Sequence, residues 1–238
     1  MEKFKKAIQI MKQQKAIILG GTSGIGEAVA RALHEKGIGV IAASRRESDS
    51  KDYPVEQVDV LDREGLENLF QRHAPFDFLV NAATGGPRAG GPFLQMDLDD
   101  FQNSFAKLWG YTNSVRLAAE HMSEDGAITL ISGYPARKST PGMSAISTVG
   151  NAVEGFVRAV AVEISPLRIN AVSPGVIDTP MFLHADEARV NFLSESTSSN
   201  IIQRAGLPSE VAEAVIFQLF NKFVTGTTID VDGGALLP

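Results

Sequence analysis

The chain has 238 residues, 44% of them hydrophobic and 21% charged, enough to bury a substantial core in one large α/β domain. Its 22 basic and 28 acidic residues leave a net charge of −6, which offers no general attraction to nucleic acid or to an anionic membrane. The absence of cysteine excludes disulfides, thiolate nucleophiles and cysteine-bound zinc and is compatible with a cytoplasmic location, and no apolar run approaches the ~20 residues that span a bilayer.

In chain order, residues 1–14 read as a basic lead-in; the stretch to Lys15 carries five lysines without the continuous apolar segment of a secretory signal. A basic helix lying on a membrane surface is the alternative. Short apolar runs follow at 16–19, 39–43, 55–58, 76–80, 127–131, 168–172 and 227–231, each of strand length. Helical spacing fills the gaps at 27–36, 62–72, 99–121, 147–164 and 209–221. This alternation predicts a three-layer α/β fold, a doubly wound, parallel, seven-stranded sheet covered by helices on both faces, in a single domain spanning 1–238. The one long irregular stretch, 177–203, is expected to be a substrate lid, because loops of that length in compact domains usually carry function.

The segment Leu19-Gly20-Gly21-Thr22-Ser23-Gly24-Ile25-Gly26 stands where the first strand turns into the first helix. Glycine lets a backbone approach a pyrophosphate closely and lets the helix pack tightly on the strand. The helix N-terminus then offers N–H donors and the positive end of its dipole to phosphate. Strand before and helix after are the context a Rossmann dinucleotide site needs. The second strand ends in Ser44-Arg45-Arg46. An acid there would bind the ribose 2′-hydroxyl of NAD, whereas Ser44 with two arginines suits a 2′-phosphate. NADP(H) is therefore preferred over NAD(H), with Thr22 and Ser23 as additional hydroxyl donors.

Five motifs in order make the chain resemble the short-chain dehydrogenase/reductase family from about Lys15 to the C-terminus. They are Gly20-x-x-x-Gly24-Ile25-Gly26, with Leu19 where threonine is usual, Asp59-Val60, Val80-Asn81-Ala82-Ala83, the segment from Asn170 through Pro174-Gly175-Val176-Ile177 to Thr179, and Asp230-Val-Asp232-Gly233-Gly234. The resemblance implies that Asp59 and Val60 contact adenine, that Asn81, Ala82 and Ala83 lie beside the fourth strand, and that the Pro174–Thr179 backbone meets the nicotinamide carboxamide. It also implies a homo-dimer or homo-tetramer, since the helix carrying Gly150, Ala152 and Gly155 commonly builds a dimer face.

The residues that the family uses for proton transfer are missing. The tyrosine position falls on Ile146, the lysine position four residues later on Gly150, and the substrate-binding serine position on Gly133, with Ser132 just before it. The family's active-site asparagine falls on Lys107. An ammonium here could replace the lost lysine, or Lys107 could simply reach solvent; burial would lower its pKa toward a useful range. Tyr134-Pro-Ala-Arg-Lys138 has the tyrosine–lysine spacing but directly follows the fifth strand, twelve residues too early. Tyr134 could still approach a substrate, because loops at the carboxyl ends of these strands line the ligand crevice.

His34, His73, His121 and His184 show no metal-ligand spacing, so no metal site is expected. Asp97, Asp99 and Asp100 read as a helix N-terminal cluster, and Phe101, Phe105 and Leu108 as core or interface. Two functions follow from the sequence. One is an NADP(H)-dependent oxidoreductase on a small carbonyl or alcohol, with Ser132 on the substrate oxygen and Lys107 managing the proton. The other is an NADP(H)-binding sensor without turnover.

Overall fold

The computed structural model describes residues 14–48, 50–182 and 186–238. All of the basic lead-in except Gln14 lies outside these residues, as do Leu183 and His184. Seven strands form one parallel sheet: β1 (Lys15–Leu19), β2 (Gly39–Ser44), β3 (Val55–Gln57), β4 (Phe76–Asn81), β5 (Met122–Ile131), β6 (Arg168–Pro174) and β7 (Thr228–Val231). Their order is β3-β2-β1-β4-β5-β6-β7. β1 pairs Ile17 with Ile41 of β2 on one side and with Leu79 of β4 on the other, and β5 pairs Ile128 with Ile169 of β6.

Burial on both faces explains why the central strands are apolar at successive positions rather than at alternate ones. Ile17 and Leu19 point into one core, with Leu66, Phe70, Tyr111, Val115, Val153 and Val157. Ala16 and Ile18 point into the other, with Val29, Leu33, Val211, Val215 and Leu219. The first core is covered by α2 (Arg63–His73), α4 (Ala106–Ala118) and α5 (Ser144–Ala161), the second by α1 (Gly24–Glu35) and α7 (Pro208–Phe220). At the far end of β6, buried Arg168 donates to the carbonyls of Gln218 and Leu219 at 2.7 and 2.6 Å, closing the C-terminus of α7.

Two elements differ from the sequence expectation. The helix expected over 99–121 is broken into α3 (Leu98–Asn103) and α4. Ser104 causes the break: its Oγ donates back to the Asp100 carbonyl at 2.9 Å and accepts the Ala89 N–H at 2.8 Å. Asp97 does cap α3, accepting from the N–H groups of Asp99 and Asp100. The stretch 177–203 is not irregular throughout, since α6 (Asp186–Thr197) lies within it.

The glycine-rich turn couples fold to site. A Cβ at Gly26 would lie 2.1 Å from the Gly20 carbonyl oxygen, so α1 sits on β1 only because residue 26 has no side chain. Gly26→Ala is expected to destabilise the protein by about 3 kcal/mol or more, the range of severe overpacking, as read from a denaturant midpoint with unchanged slope.

Candidate active site

The strand order reverses between β1 and β4, and a doubly wound sheet opens a ligand crevice at the carboxyl ends of its strands at that point. The glycine turn lies there. Gly20 has φ +77°, and a Cβ on it would come within 2.8 Å of the Ala83 nitrogen. At the N-terminus of α1, Ser23 precedes the first helical residue without a side-chain cap bond, so the first-turn N–H donors point outward as an anion cradle. Across the opening, Thr179 Cγ2 lies 3.2 Å from where a Gly24 Cβ would be. The cradle would lose its room to any side chain, and its donors suit a pyrophosphate; a dinucleotide fits.

The other residues expected to meet the cofactor lie on the same rim. Asn81 is buried. Its Nδ2 donates to Ser114 Oγ at 2.9 Å and its Oδ1 accepts the Ala83 N–H at 3.0 Å, which fixes the turn through Ala82 and Ala83. Ser44 Oγ donates to the Arg46 carbonyl at 2.6 Å, which shapes the end of β2. Exposed Arg45 reaches across the β2–β4 gap to the Gly85 carbonyl at 3.3 Å, and Arg46 is exposed beside it. Asp59 Oδ1 accepts the Leu61 N–H at 2.9 Å, while Val60 is buried against Gly110. Beyond β6, Pro174, Gly175, Val176 and Ile177 run along Asp232 and Gly206: a Cβ at Gly175 would lie 2.8 Å from Asp232 Cα, and Ile177 bridges Gly206.

Lys107 stands at the start of α4 and faces the end of β5. Its Nζ donates to the Ser132 carbonyl at 3.2 Å, just past the end of β5, and stands 5.5 Å from the Tyr111 ring centroid. Burial, with the Arg88 guanidinium as a second cause, pulls its pKa from 10.5 to about 7. Of the two readings open from sequence, the inward one describes the geometry. Ser132 differs from expectation. Its hydroxyl, expected on the substrate oxygen, lies 3.1 Å from Glu154 Oε1 and 3.3 Å from the Gly150 carbonyl, two acceptors for its single proton. The buried Glu154 needs that donor, with Arg137 Nε 3.4 Å away on its other oxygen. The Ser132 carbonyl, not its side chain, faces Lys107.

Tyr134 opens a short 3₁₀ turn (Tyr134–Ala136) and is half-buried, and burial raises its pKa, which makes it a weaker acid. Lys138 turns away to the Ala235 carbonyl. The place of the family's lysine is closed: a Cβ at Gly150 would lie 2.9 Å from Ala136 Cβ, so the turn fills the room a side chain would need. Sequence reasoning missed Arg88 and Glu154. The signal for Glu154 was a lone acid on the apolar face of a helix, between Val153 and Val157. Arg88 stood out only as the one cation in a glycine-rich loop, Gly85-Gly86-Pro87-Arg88-Ala89-Gly90-Gly91.

A family model described as Enoyl-(Acyl carrier protein) reductase matches residues 20–235. The chain is a short-chain dehydrogenase/reductase. Among relatives of this family, it is 30% identical to the short-chain dehydrogenase/reductase ATR9 of Stachybotrys chlorohalonatus, covering 95% of this chain and 98% of that one. It is also 30% identical to carbonyl reductase family member 4 of Danio rerio, over 93% and 98%. A solved small-chain dehydrogenase in complex with NADPH superposes with a TM-score of 0.86 at 29% identity, covering 95% of this chain and 100% of that one. Aldohexose dehydrogenase of Thermoplasma acidophilum superposes at 0.85 with 31% identity, over 93% of each chain. This short-chain dehydrogenase/reductase thus has the family's oxidoreductase scaffold, and among its described residues no helix is long and apolar enough to cross a membrane.

The buried amine makes stability depend on pH. The unfolded chain holds the Lys107 proton between pH 7 and 10.5 while the folded chain does not, so raising pH through this window stabilises the wild type. Lys107→Met is expected to be more stable than wild type at pH 7, on the order of 1–3 kcal/mol. Urea melts across the pH range should show this gap constant below pH 7 and closing toward 10.5.

Proposed function

We propose that this protein is an NADP(H)-dependent reductase of a small carbonyl compound, working in the reverse direction on the alcohol, in which Lys107 rather than a tyrosine carries the proton. The single observation behind this reading is the Lys107 ammonium, held on the Ser132 carbonyl in the crevice with its pKa drawn to about 7. A proton donor works best when its pKa is close to the working pH. Ile146 and Gly150 have no proton to give.

The glycine turn and the N-terminus of α1 would hold the pyrophosphate, Arg45 and Arg46 the 2′-phosphate, and the Pro174–Thr179 backbone the carboxamide. The bound dinucleotide supplies a hydride, two electrons and a hydrogen nucleus, to the carbonyl carbon. As that bond forms, the C=O π pair moves to oxygen, which takes one proton from the Lys107 ammonium. Lys107 then recovers its proton from water. Ser132 acts as a positioning residue: its carbonyl sets the direction of Nζ, and its hydroxyl ties β5 to Glu154 of α5. Tyr134 lines the entrance, and segment 177–203 shapes specificity. The exposed Trp109, with Phe105 and Phe101 stacked along α3 and α4, supports a homo-dimer or homo-tetramer through that face.

Two experiments test this reading. Arg45→Ala should weaken NADPH about 10- to 100-fold by calorimetry, the worth of charge-assisted hydrogen bonds, and NADH hardly at all; equal losses would remove the phosphate assignment. Carbonyl reduction should fall about tenfold per pH unit above a break at or beyond pH 7, because only the ammonium donates, and oxidation of the alcohol should rise over the same range. Lys107→Arg, protonated throughout, should abolish that break, and Lys107→Met should lower kcat by about 10²–10⁴. Tight NADPH binding without turnover over a broad carbonyl panel would rule out the reductase.

A further inference from the structure

Two cations meet at the crevice, and neither has an acid partner among the described residues. Lys107 makes its hydrogen bond to a neutral carbonyl. Arg88 makes its one recorded side-chain contact, at 2.7 Å, with the thioether sulfur of Met181. The arginine–carboxylate and lysine–carboxylate ion pairs of these residues lie elsewhere, at Arg31, Arg72, Arg116, Arg137, Arg189, Arg204 and Lys222. A thioether is a weak acceptor that leaves most of the five N–H donors of a guanidinium unused.

The placement of Arg88 is specific. Its loop leaves β4 and is pinned to the start of α4, since Ala89 N–H donates to Ser104 Oγ at 2.8 Å and a Cβ at Gly85 would lie 2.8 Å from the Lys107 backbone nitrogen. Met181 follows Thr179 and Pro180, which pack over Gly24. The Arg88–Met181 contact therefore runs from the loop after β4 to the segment after β6, with both side chains exposed, and Arg88 is close enough to Lys107 for the two charges to repel. Arg45, at the end of β2 where a 2′-phosphate would lie, reaches the same loop at the Gly85 carbonyl, three positions before Arg88. Two like charges brought together in a cleft raise the local affinity for an anion and are relieved by one.

We propose that the carbonyl substrate is itself an anion, and that its carboxylate is bound by the Arg88 guanidinium, displacing Met181, with the carbonyl presented to Lys107. This rests on the reductase reading, and it specifies the substrate class within it. The fork of donors in arginine matches a planar carboxylate in two parallel hydrogen bonds, which also fixes the orientation of the carbonyl.

The test uses matched pairs that differ only in charge: 4-carboxybenzaldehyde against methyl 4-formylbenzoate, and succinic semialdehyde against its methyl ester, each with NADPH. The acid of at least one pair should exceed its ester in kcat/KM by about 10- to 100-fold, the worth of a charge-assisted contact, and Arg88→Gln should collapse that ratio at least about tenfold with Arg88→Lys intermediate. Circular dichroism melts confirm that the variants fold. Esters turned over as well as acids, or a ratio untouched by Arg88→Gln, would overturn the substrate class while leaving the reductase standing. Loss of NADPH affinity in Arg88→Gln, with the ratio intact, would transfer the arginine to the dinucleotide and overturn it too. Calorimetry separates the remaining case. If no pair is turned over but benzoate binds the NADP-saturated protein through Arg88 while benzamide does not, the anion site stands and the reductase fails; if benzoate does not bind either, both fail.

Discussion

Everything in this molecule is arranged around one steric constraint, the contact of α1 with the end of β1. With 2.1 Å between a hypothetical Gly26 Cβ and the Gly20 oxygen, helix and strand touch backbone to backbone. That closeness aims the first N–H groups of α1 at the carboxyl edge of the sheet. It also brings Gly20 against Ala82 and Ala83, and Gly24 against Thr179, so three strand ends converge on one cradle. Buried Asn81 holds the second of these contacts from beneath, using both ends of its amide. Binding geometry and folding geometry are here the same set of contacts.

On the proposed reading, a phenol made acidic by a neighbouring ammonium on one helix gives way to an amine made less basic through burial on another. The two designs start from opposite electrostatics. The first stabilises a charge with a second charge; the second relies on the cost of desolvating a charge with no counter-ion. Glu154 is bonded to Ser132 and Arg137 and not to Lys107. If that carboxylate reached Lys107 it would hold the proton tightly and return the amine to its ordinary range.

Much of the fold was legible because long-range geometry follows from local pattern in a parallel sheet. Ile17-Ile18-Leu19 can be apolar at consecutive positions only if both faces are covered, and the glycines after it mark the turn. What escaped was information carried by distant partners. Ser104 breaks a helix because its hydroxyl meets the Ala89 nitrogen, fifteen residues away. Segment Asp186–Thr197 is helical although it buries little; among its described side chains only Leu193 and Thr197 are buried, too few for a periodic signal. At the site, Lys107 was legible as a cation at a position defined by flanking motifs. The direction of the Ser132 hydroxyl was not, since it depends on an acid 22 positions later. Arg88 sits in a loop without periodicity, where only three dimensions reveal its neighbours.

The packing of the 3₁₀ turn on Gly150 has a consequence for anyone wishing to redesign this protein. A Cβ at residue 150 would lie 2.9, 3.3 and 3.4 Å from Ala136 Cβ, Cα and N, so a side chain there is blocked by the 3₁₀ turn. Grafting a tyrosine and a lysine onto α5 would push the turn outward and drag Asn151, which donates to the Ala136 carbonyl, along with it. A successful conversion must replace the 3₁₀ turn of residues 134–136 and the helix face together, as one exchangeable module.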